Sequence, residues 1–347
     1  MKEERLKLLT VSTVLLVMLF GGCAQKTTVK AIKAAKVTDS SIKNIGVVPF
    51  ENDDISQSSQ IDSSISNVEI KGKKYFTLVD RDNLTKVMGE KKLNDSGLVD
   101  LIKENSTKGL AQMETLVVGN ININNISSST FKEQRTDYDT CIQTYTYKGK
   151  TYCKKYRKYN VNCKANIHNV KTKVKLIKIS DSKTIFTDTY DASAKYKHCE
   201  DDSRVLPSKQ EANSKLAGVI ADKLIKDIAP SYIYFRVTLL DDLDVELTDA
   251  QEKIFENSLD MIKHQRIEKA NKMLSKLNEQ LNSSSYVVLY NLSVTEESLG
   301  NIQKALELLT KSEELALEKE GVIEEITVAV TRMKNNLKEQ LKVNKQL

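Results

Sequence analysis

The sequence predicts an α+β domain followed by an all-α helical-repeat region, and three patterns carry that expectation. Val170, Thr172, Val174 and Leu176 alternate with Lys171, Lys173 and Lys175, the period-two signature of a strand with one wet face. Leu216, Val219, Ile220, Leu224 and Ile228 recur at spacings of three and four before Pro230, which marks an amphipathic helix and its stop. From Asp249 onward helix signals dominate, and they repeat. Charge divides the chain in the same way: residues 132–175 hold 12 Lys/Arg and 3 Asp/Glu, whereas residues 241–347 hold 14 basic and 20 acidic. A basic middle and an acidic last third in a chain of 347 residues fit two separate units.

Taken in order, residues 1–7 carry Lys2, Arg5 and Lys7, and residues 8–20 (LLTVSTVLLVMLF) contain no charge. Thirteen uncharged residues fall short of the roughly 20 needed to span a bilayer as a helix. They suit the apolar region of an export signal of about 7–15 residues. Gly21, Gly22 and Cys23 follow, and this order resembles a bacterial lipobox. The resemblance implies a signal peptide over 1–22, cleavage before Cys23 and acylation of its thiol. Two or more acyl chains, at about 0.8 kcal/mol per buried CH₂, hold a protein stably on a membrane. Ala24 after the cysteine resembles the sorting pattern for the outer membrane of a diderm bacterium. Ordinary cleavage to a soluble periplasmic protein is the alternative.

Residues 23–43 are small, basic and polar and are expected to be a lipid-anchored linker. Strands are expected at Asn44–Asn52, Lys74–Arg81 and Met113–Ile126, with a helix over Asp82–Leu93. Residues 164–196 are expected to form an antiparallel hairpin turning at Ser180–Lys183. In the C-terminal region, 249–340, Ala270 aligns with Ala305, Leu274 with Leu309, Ile254 with Leu289 and Gln265 with Gly300, a period of 35 residues. A small residue at the contact and a glycine at the turn resemble a tetratricopeptide unit, and the resemblance assigns packing roles to Ala270, Leu289, Gly300 and Ala305. Residues 321–337 are a candidate capping helix. A plain helical hairpin bundle is the alternative.

Export makes the remaining cysteines, Cys141, Cys153, Cys163 and Cys199, disulfide candidates. Four cysteines allow three pairings. A zinc site is the alternative, and the spacings lack Cys-x-x-Cys. Composition points away from an enzyme: there is no Trp and only 3 His, and no H-E-x-x-H, G-x-S-x-G or phosphate-binding glycine loop occurs. His168 and His198 beside Cys199 are the one His–Cys combination that suggests a nucleophile. No cofactor or metal is expected.

Residues 75–100, YFTLVDRDNLTKVMGEKKLNDSGLVD, with IGVVPFEN upstream and AQMETLVVGNI downstream, resemble the CsgG/HfaB group of outer-membrane lipoproteins, over about residues 42–235. Asp80, Arg81, Asn83, Leu84, Ser96 and Gly97 carry the motif. The likeness implies an αβα-type periplasmic domain over 44–235, non-enzymatic and often oligomeric, and a structural role for the motif at a strand–helix corner. In the curli member, hairpins build a secretion channel. The corresponding insert here, 127–165, is basic and rich in Tyr and Cys and lacks the 9–11-residue apolar alternation of a lipid-facing strand. Tyr145, Tyr147, Tyr152, Tyr156 and Tyr159 are expected to stud one face. Lys154, Lys155, Tyr156, Arg157, Lys158 and Tyr159 are expected to form a partner surface for anionic lipid, cell-wall polymer or acidic protein. A solvated hairpin is the alternative.

The expected protein is therefore a non-enzymatic outer-membrane lipoprotein, its domain on the periplasmic side, serving as scaffold or accessory of a secretion or assembly apparatus. The alternatives are an activator of a peptidoglycan synthase and an oligomeric channel subunit. Expected partners are membrane lipid through Cys23, envelope proteins through the helical repeats and further copies of the chain. Nucleic acid is excluded by compartment.

Overall fold

The structure is a computed structural model that describes residues 25–79, 97, 99–100 and 113–347. Its chain divides into two compact units. One takes in Ala35–Pro230 with the last two residues, the other Ser231–Lys345 with the described residues up to Ala34.

The first unit is built on a five-stranded sheet that runs from one edge to the other through residues 77–78, 44–47, 115–147, 150–178 and 183–199. Strands β2 (Asn44–Val47), β5 (Thr77–Leu78) and β6 (Thr115–Tyr147) pair in parallel. Strands β7 (Lys150–Lys178) and β8 (Lys183–Cys199) extend the sheet in antiparallel sense. The expected alternation in β7 holds: Val170, Thr172, Val174 and Leu176 are buried while Lys171 and Lys173 face water. The buried face is covered by helices α1 (Gln57–Ser66) and α2 (Lys209–Ile228). Gln57, itself fully buried, donates to the Ala217 carbonyl at 2.9 Å and accepts from Thr172 at 3.5 Å, so one amide joins both helices to the sheet. Ser208 and Glu211 form a capping box that starts α2 at Lys209, seven residues ahead of Leu216, where the apolar pattern begins. The Tyr190 hydroxyl donates to Asp227 at 2.8 Å, and burial followed by that acidic neighbour raises its pKa. A second buried cluster contains Val48, Val99, Met113, Leu116, Val118, Ile177 and Ile179.

Gly119 in β6 is required by packing. A Cβ there would lie 2.3 Å from the Phe50 ring, closer than two carbons approach. Phe50 is itself buried, and the short ribbon β3 (Glu69–Ile70) and β4 (Lys73–Lys74) follows α1.

The second unit opens on a strand. Residues 26–33, expected within a flexible linker, form strand β1 (Lys26–Lys33), antiparallel to β9 (Ser231–Thr238). Thr27, Val29 and Ala31 point inward between the exposed Lys26, Thr28 and Lys30. The apolar side chains are small, so the period-two signal is faint. β9 likewise lies in this unit, so residues 231–235, expected at the end of the α/β domain, belong with the helices.

Five helices follow: α3 (Asp249–Lys263), α4 (Ile267–Gln280), α5 (Tyr286–Leu299), α6 (Ile302–Lys319) and α7 (Glu324–Gln346). The pairs α3–α4 and α5–α6 repeat at 35 residues. Ala270, Ala305, Leu274 and Leu309 are all fully buried and Leu289 nearly so. The turn residues Gln265 and Gly300 both adopt positive φ, 58° and 85°, the geometry glycine takes without cost. Helix α5 is central and apolar on most sides. Its two acidic residues are buried with partners: Glu297 is held by Arg332 at 2.9 and 3.2 Å and by Asn336, and Glu296 by Lys304 and Asn301. Asp244 caps α5, accepting from the backbone of Tyr286 and Val287 and from Lys319 at 2.8 Å.

Candidate functional site

Strands β6 and β7 do not stop where the sheet stops. β8 ends at Cys199, opposite Cys163, and beyond that pair β6 and β7 continue as a two-stranded ribbon to a turn at Lys148–Gly149. At about 3.3 Å per residue, the stretch from Cys163 to Lys150 projects roughly 40 Å. Lys148 and Gly149 have φ of 47° and 72°, the doubly positive pattern of a tight hairpin turn that matches strand twist. This arm contains most of the expected insert 127–165.

Two disulfides hold it. Cys163–Cys199, S–S 2.02 Å, fastens the base of the arm to β8, and Cys141–Cys153, S–S 2.11 Å, crosses the ribbon near the tip. Of the three pairings open to sequence reasoning, this is the one adopted. All four sulfurs are thereby taken, so the zinc alternative loses its thiolates even where Glu133 approaches Cys163 and Cys199. Cys199 is likewise no nucleophile. His168 and His198 are four positions apart along the sheet, pairing with Ala194 and Lys164.

A charged network lies at the base. Glu133 meets Lys197 at 2.6 Å, and Arg135 reaches Asp201 at 3.1 Å and Asp202 at 3.5 Å. The hydrogen bond to Asp201 leads in raising the Arg135 pKa. Further out Arg157 binds Asp137 at 2.8 Å. Asp137 is held below the usual carboxylate range, first by Thr140 and then by the Asp139 amide and Arg157 against the opposing effect of desolvation. Past Asp139 the balance changes. Residues 140–164 contain seven Lys/Arg and no Asp/Glu.

The regular pairing of residues 130–137 with 157–164 puts Lys132, Lys158 and Lys164 on one face of the ribbon. It puts Glu133, Arg135, Asp137 and Arg157 on the other, since strand side chains alternate. Neither face is free of charge. A strand crossing hydrocarbon needs one apolar face, and Lys or Arg at the midplane costs about 2–4 kcal/mol each.

The expected surface residues are placed as follows. Lys154, Lys155, Arg157, Lys158 and Tyr159 are exposed and Tyr156 half-buried, all on β7. They do not form one face: Tyr156 and Tyr159 are three residues apart on one strand and face opposite ways, and Lys154 is the unpaired residue of a bulge between Cys153 and Lys155. Irregular pairing at 137–144 interrupts the alternation on which the five-tyrosine expectation rested. Tyr145, Tyr147 and Tyr152 do share a face at the tip. Tyr145 and Tyr152 stack at 5.6 Å, and the three rings are 50, 58 and 44 % exposed. Lys150, paired with Tyr147, shares that face, whereas Thr146 and Thr151 occupy the other.

His168, in contrast, is 1 % exposed beneath α2, edge-on to Tyr196 at 5.6 Å, with neither ring nitrogen hydrogen-bonded among the described residues. Burial, aided by Lys209, lowers its pKa. A shallow depression of about 550 Å³ at the arm base is lined by Phe131, Lys132, Lys164, His198 and Glu200 among others.

Cys23 and the motif residues Asp80, Arg81, Asn83, Leu84 and Ser96 lie outside the described residues; Gly97 is helical. No helix among the described residues is long and apolar enough to cross a membrane. No family model matches the chain, and no curated protein matches it. Solved structures that it resembles include a PelC dodecamer from Paraburkholderia phytofirmans, 8 % identical over 59 % of this chain and 98 % of that one, TM-score 0.27. Another is lipoprotein GNA1162 from Neisseria meningitidis, 12 % identical over 53 % of this chain and 96 % of that one, TM-score 0.24. At superposition scores this low, neither decides anything about this chain.

Proposed function

We propose that the chain is a lipid-anchored, non-enzymatic outer-membrane protein of the CsgG type, a scaffold or accessory subunit of an envelope secretion or assembly apparatus. The observation that carries this reading is the arm: a ribbon stapled by two disulfides at base and tip, charged on both faces, and running out from a compact sheet. Such an element binds by presenting a fixed surface. The n-region, apolar run and small-small-Cys order at 21–23 support anchoring through Cys23. The αβα layering, the tetratricopeptide character of the helix pairs and their use as a protein-binding region are parts of the same proposal. Charge on both ribbon faces favours an accessory over a channel wall built by this chain.

A pulldown from native membranes with native electrophoresis tests the reading. It is expected to recover envelope proteins with the full chain and to lose one or more of them when residues 138–157 are replaced by a short turn. Recovery of the same partners without the arm would overturn it. Release of the Cys23→Ala chain from the membrane fraction is expected. Recovery of a peptidoglycan synthase instead of an export component would favour the activator reading.

A further inference from the structure

The arm tip has two features that its structural role does not use: three exposed tyrosines on one face, and a concentration of lysines with no acidic residue near them. We infer that the tip is an interfacial anchor that seats Tyr145, Tyr147 and Tyr152 among the headgroups of an anionic lipid surface. The inference rests on the arm being the contact element proposed above; it assigns the tip to lipid and leaves the ribbon below it to the protein partners.

The chemistry of both features selects this occupant. Lys148, Lys150 and Lys154 surround the turn, and the Lys148 ammonium lies 5.4 Å from the Tyr147 ring. Lysine is a compact point charge that suits phosphate without demanding bidentate geometry, and each basic residue near an anionic leaflet is worth about fivefold in partitioning. Tyrosine rings gather at the membrane–water boundary, where an apolar body and a polar hydroxyl are both satisfied. An acidic soluble polymer would use the lysines and leave three rings and the exposed Ile142 in water. An acidic protein would be expected to favour arginine, and the two arginines of the ribbon, Arg135 and Arg157, already carry internal partners at Asp201, Asp202 and Asp137. Depth is limited by the same residues. The lysines flanking the rings and the two-faced charge below them keep the ribbon at the boundary and out of the hydrocarbon. The Cys141–Cys153 bridge and the tight turn hold the rings on one side, so little ordering remains to be done on contact.

The sequence contains no tryptophan, which gives a clean probe. Tyr147→Trp in the full chain places one indole at the tip, and Val205→Trp, at a loop position 82 % exposed, places one away from it. Each protein is mixed with preformed vesicles of phosphatidylcholine, with or without phosphatidylglycerol, doped with brominated lipid. The expected result is blue-shifted, quenched emission from position 147 in phosphatidylglycerol vesicles only, reversed by 1 M salt and absent at position 205. Lys148, Lys150 and Lys154→Gln together are expected to weaken it about a hundredfold. Inorganic phosphate is expected not to shift the emission. Equal quenching at both positions, or none at 147, overturns the inference. So does an equal shift produced by a soluble polyanion such as heparin. Mass spectrometry of the same samples reads acylation of Cys23 separately, so loss of the anchor and loss of the tip contact are distinguishable.

Discussion

Replacing Cys163 and Cys199 together by alanine is expected to destabilise the sheet-bearing unit far more than replacing Cys141 and Cys153. A disulfide acts largely by restricting the unfolded chain, and the restriction grows with the loop closed. The Cys163–Cys199 bridge spans a separation of 36 residues and the Cys141–Cys153 bridge one of 12. In the chain-entropy account these correspond to about 3.8 and about 2.8 kcal/mol. The difference in place matters more than the difference in loop. Cys163 and Cys199 are buried with Val161, at the end of the three-strand region, so their loss falls on the sheet. Cys141 and Cys153 lie in a two-stranded ribbon, a structure marginal in water without further support, so their loss frays the arm and leaves the sheet largely as it was. Hydrogen exchange with mass spectrometry separates the cases. The first double variant is expected to lose protection across 163–178 and 183–199, and the second only across 138–157. Residues 231–345 contain no cysteine, and their helices serve as an internal control. Unchanged protection of β7 and β8 in the first variant would refute the reasoning.

Three other outcomes are expected. Gly119→Ala forces its methyl against Phe50 and is expected to cost about 1–3 kcal/mol; chemical denaturation should show the loss, and a second change, Phe50→Leu, should recover part of it. Gln265→Gly is expected to stabilise the helical unit and Gly300→Ala to destabilise it, each by about 1 kcal/mol, because the two positions are equivalent left-handed turns; thermal melts read the signs. Asp244 is expected to make the helical unit acid-sensitive. Burial pushes its carboxyl up, but Lys319, Ser285 and the amides of α5 together hold it below its ordinary value of 3.8. Its contribution is therefore present above that value and lost as pH falls through the lower folded pKa. Asp244→Asn should flatten that part of a stability-against-pH curve.

The parts of the fold visible from sequence were those in which burial is one-sided. The alternation at 170–176 survives because one face of β7 meets α1 and α2 and the other meets water. The equivalence of Gln265 with Gly300 was visible because a helix pair repeats its turn as well as its apolar positions. Strand β1 was hidden because its inward residues, Thr27, Val29 and Ala31, are too small to stand out among lysines. The continuation of β6 beyond Ile126 into the arm was hidden for a related reason. Both of its faces are wet, so no hydrophobic period marks it as strand, and only its Tyr and Thr content hints at β structure. The cysteines announced disulfides but not their partners, which depend on a register set far from them, at Val170–Leu176. Helix α5, buried on most sides, carries Glu296 and Glu297 inside, and nothing local foretells that Arg332 will arrive to meet one of them.

The arm has no hinge at its root. β6 is one strand from Thr115 to Tyr147 and β7 one from Lys150 to Lys178, so the residues that touch a partner and those that fill the core lie on the same two threads. A pull on the turn along the arm loads the pairs of β6 with β2 and of β7 with β8 in shear, many hydrogen bonds at once, with the Cys163–Cys199 bridge carrying the β8 side covalently. The sheet-bearing unit is thus built like a tang set in a handle. Its outer end can bear tension, and a pull along the arm is carried into the sheet.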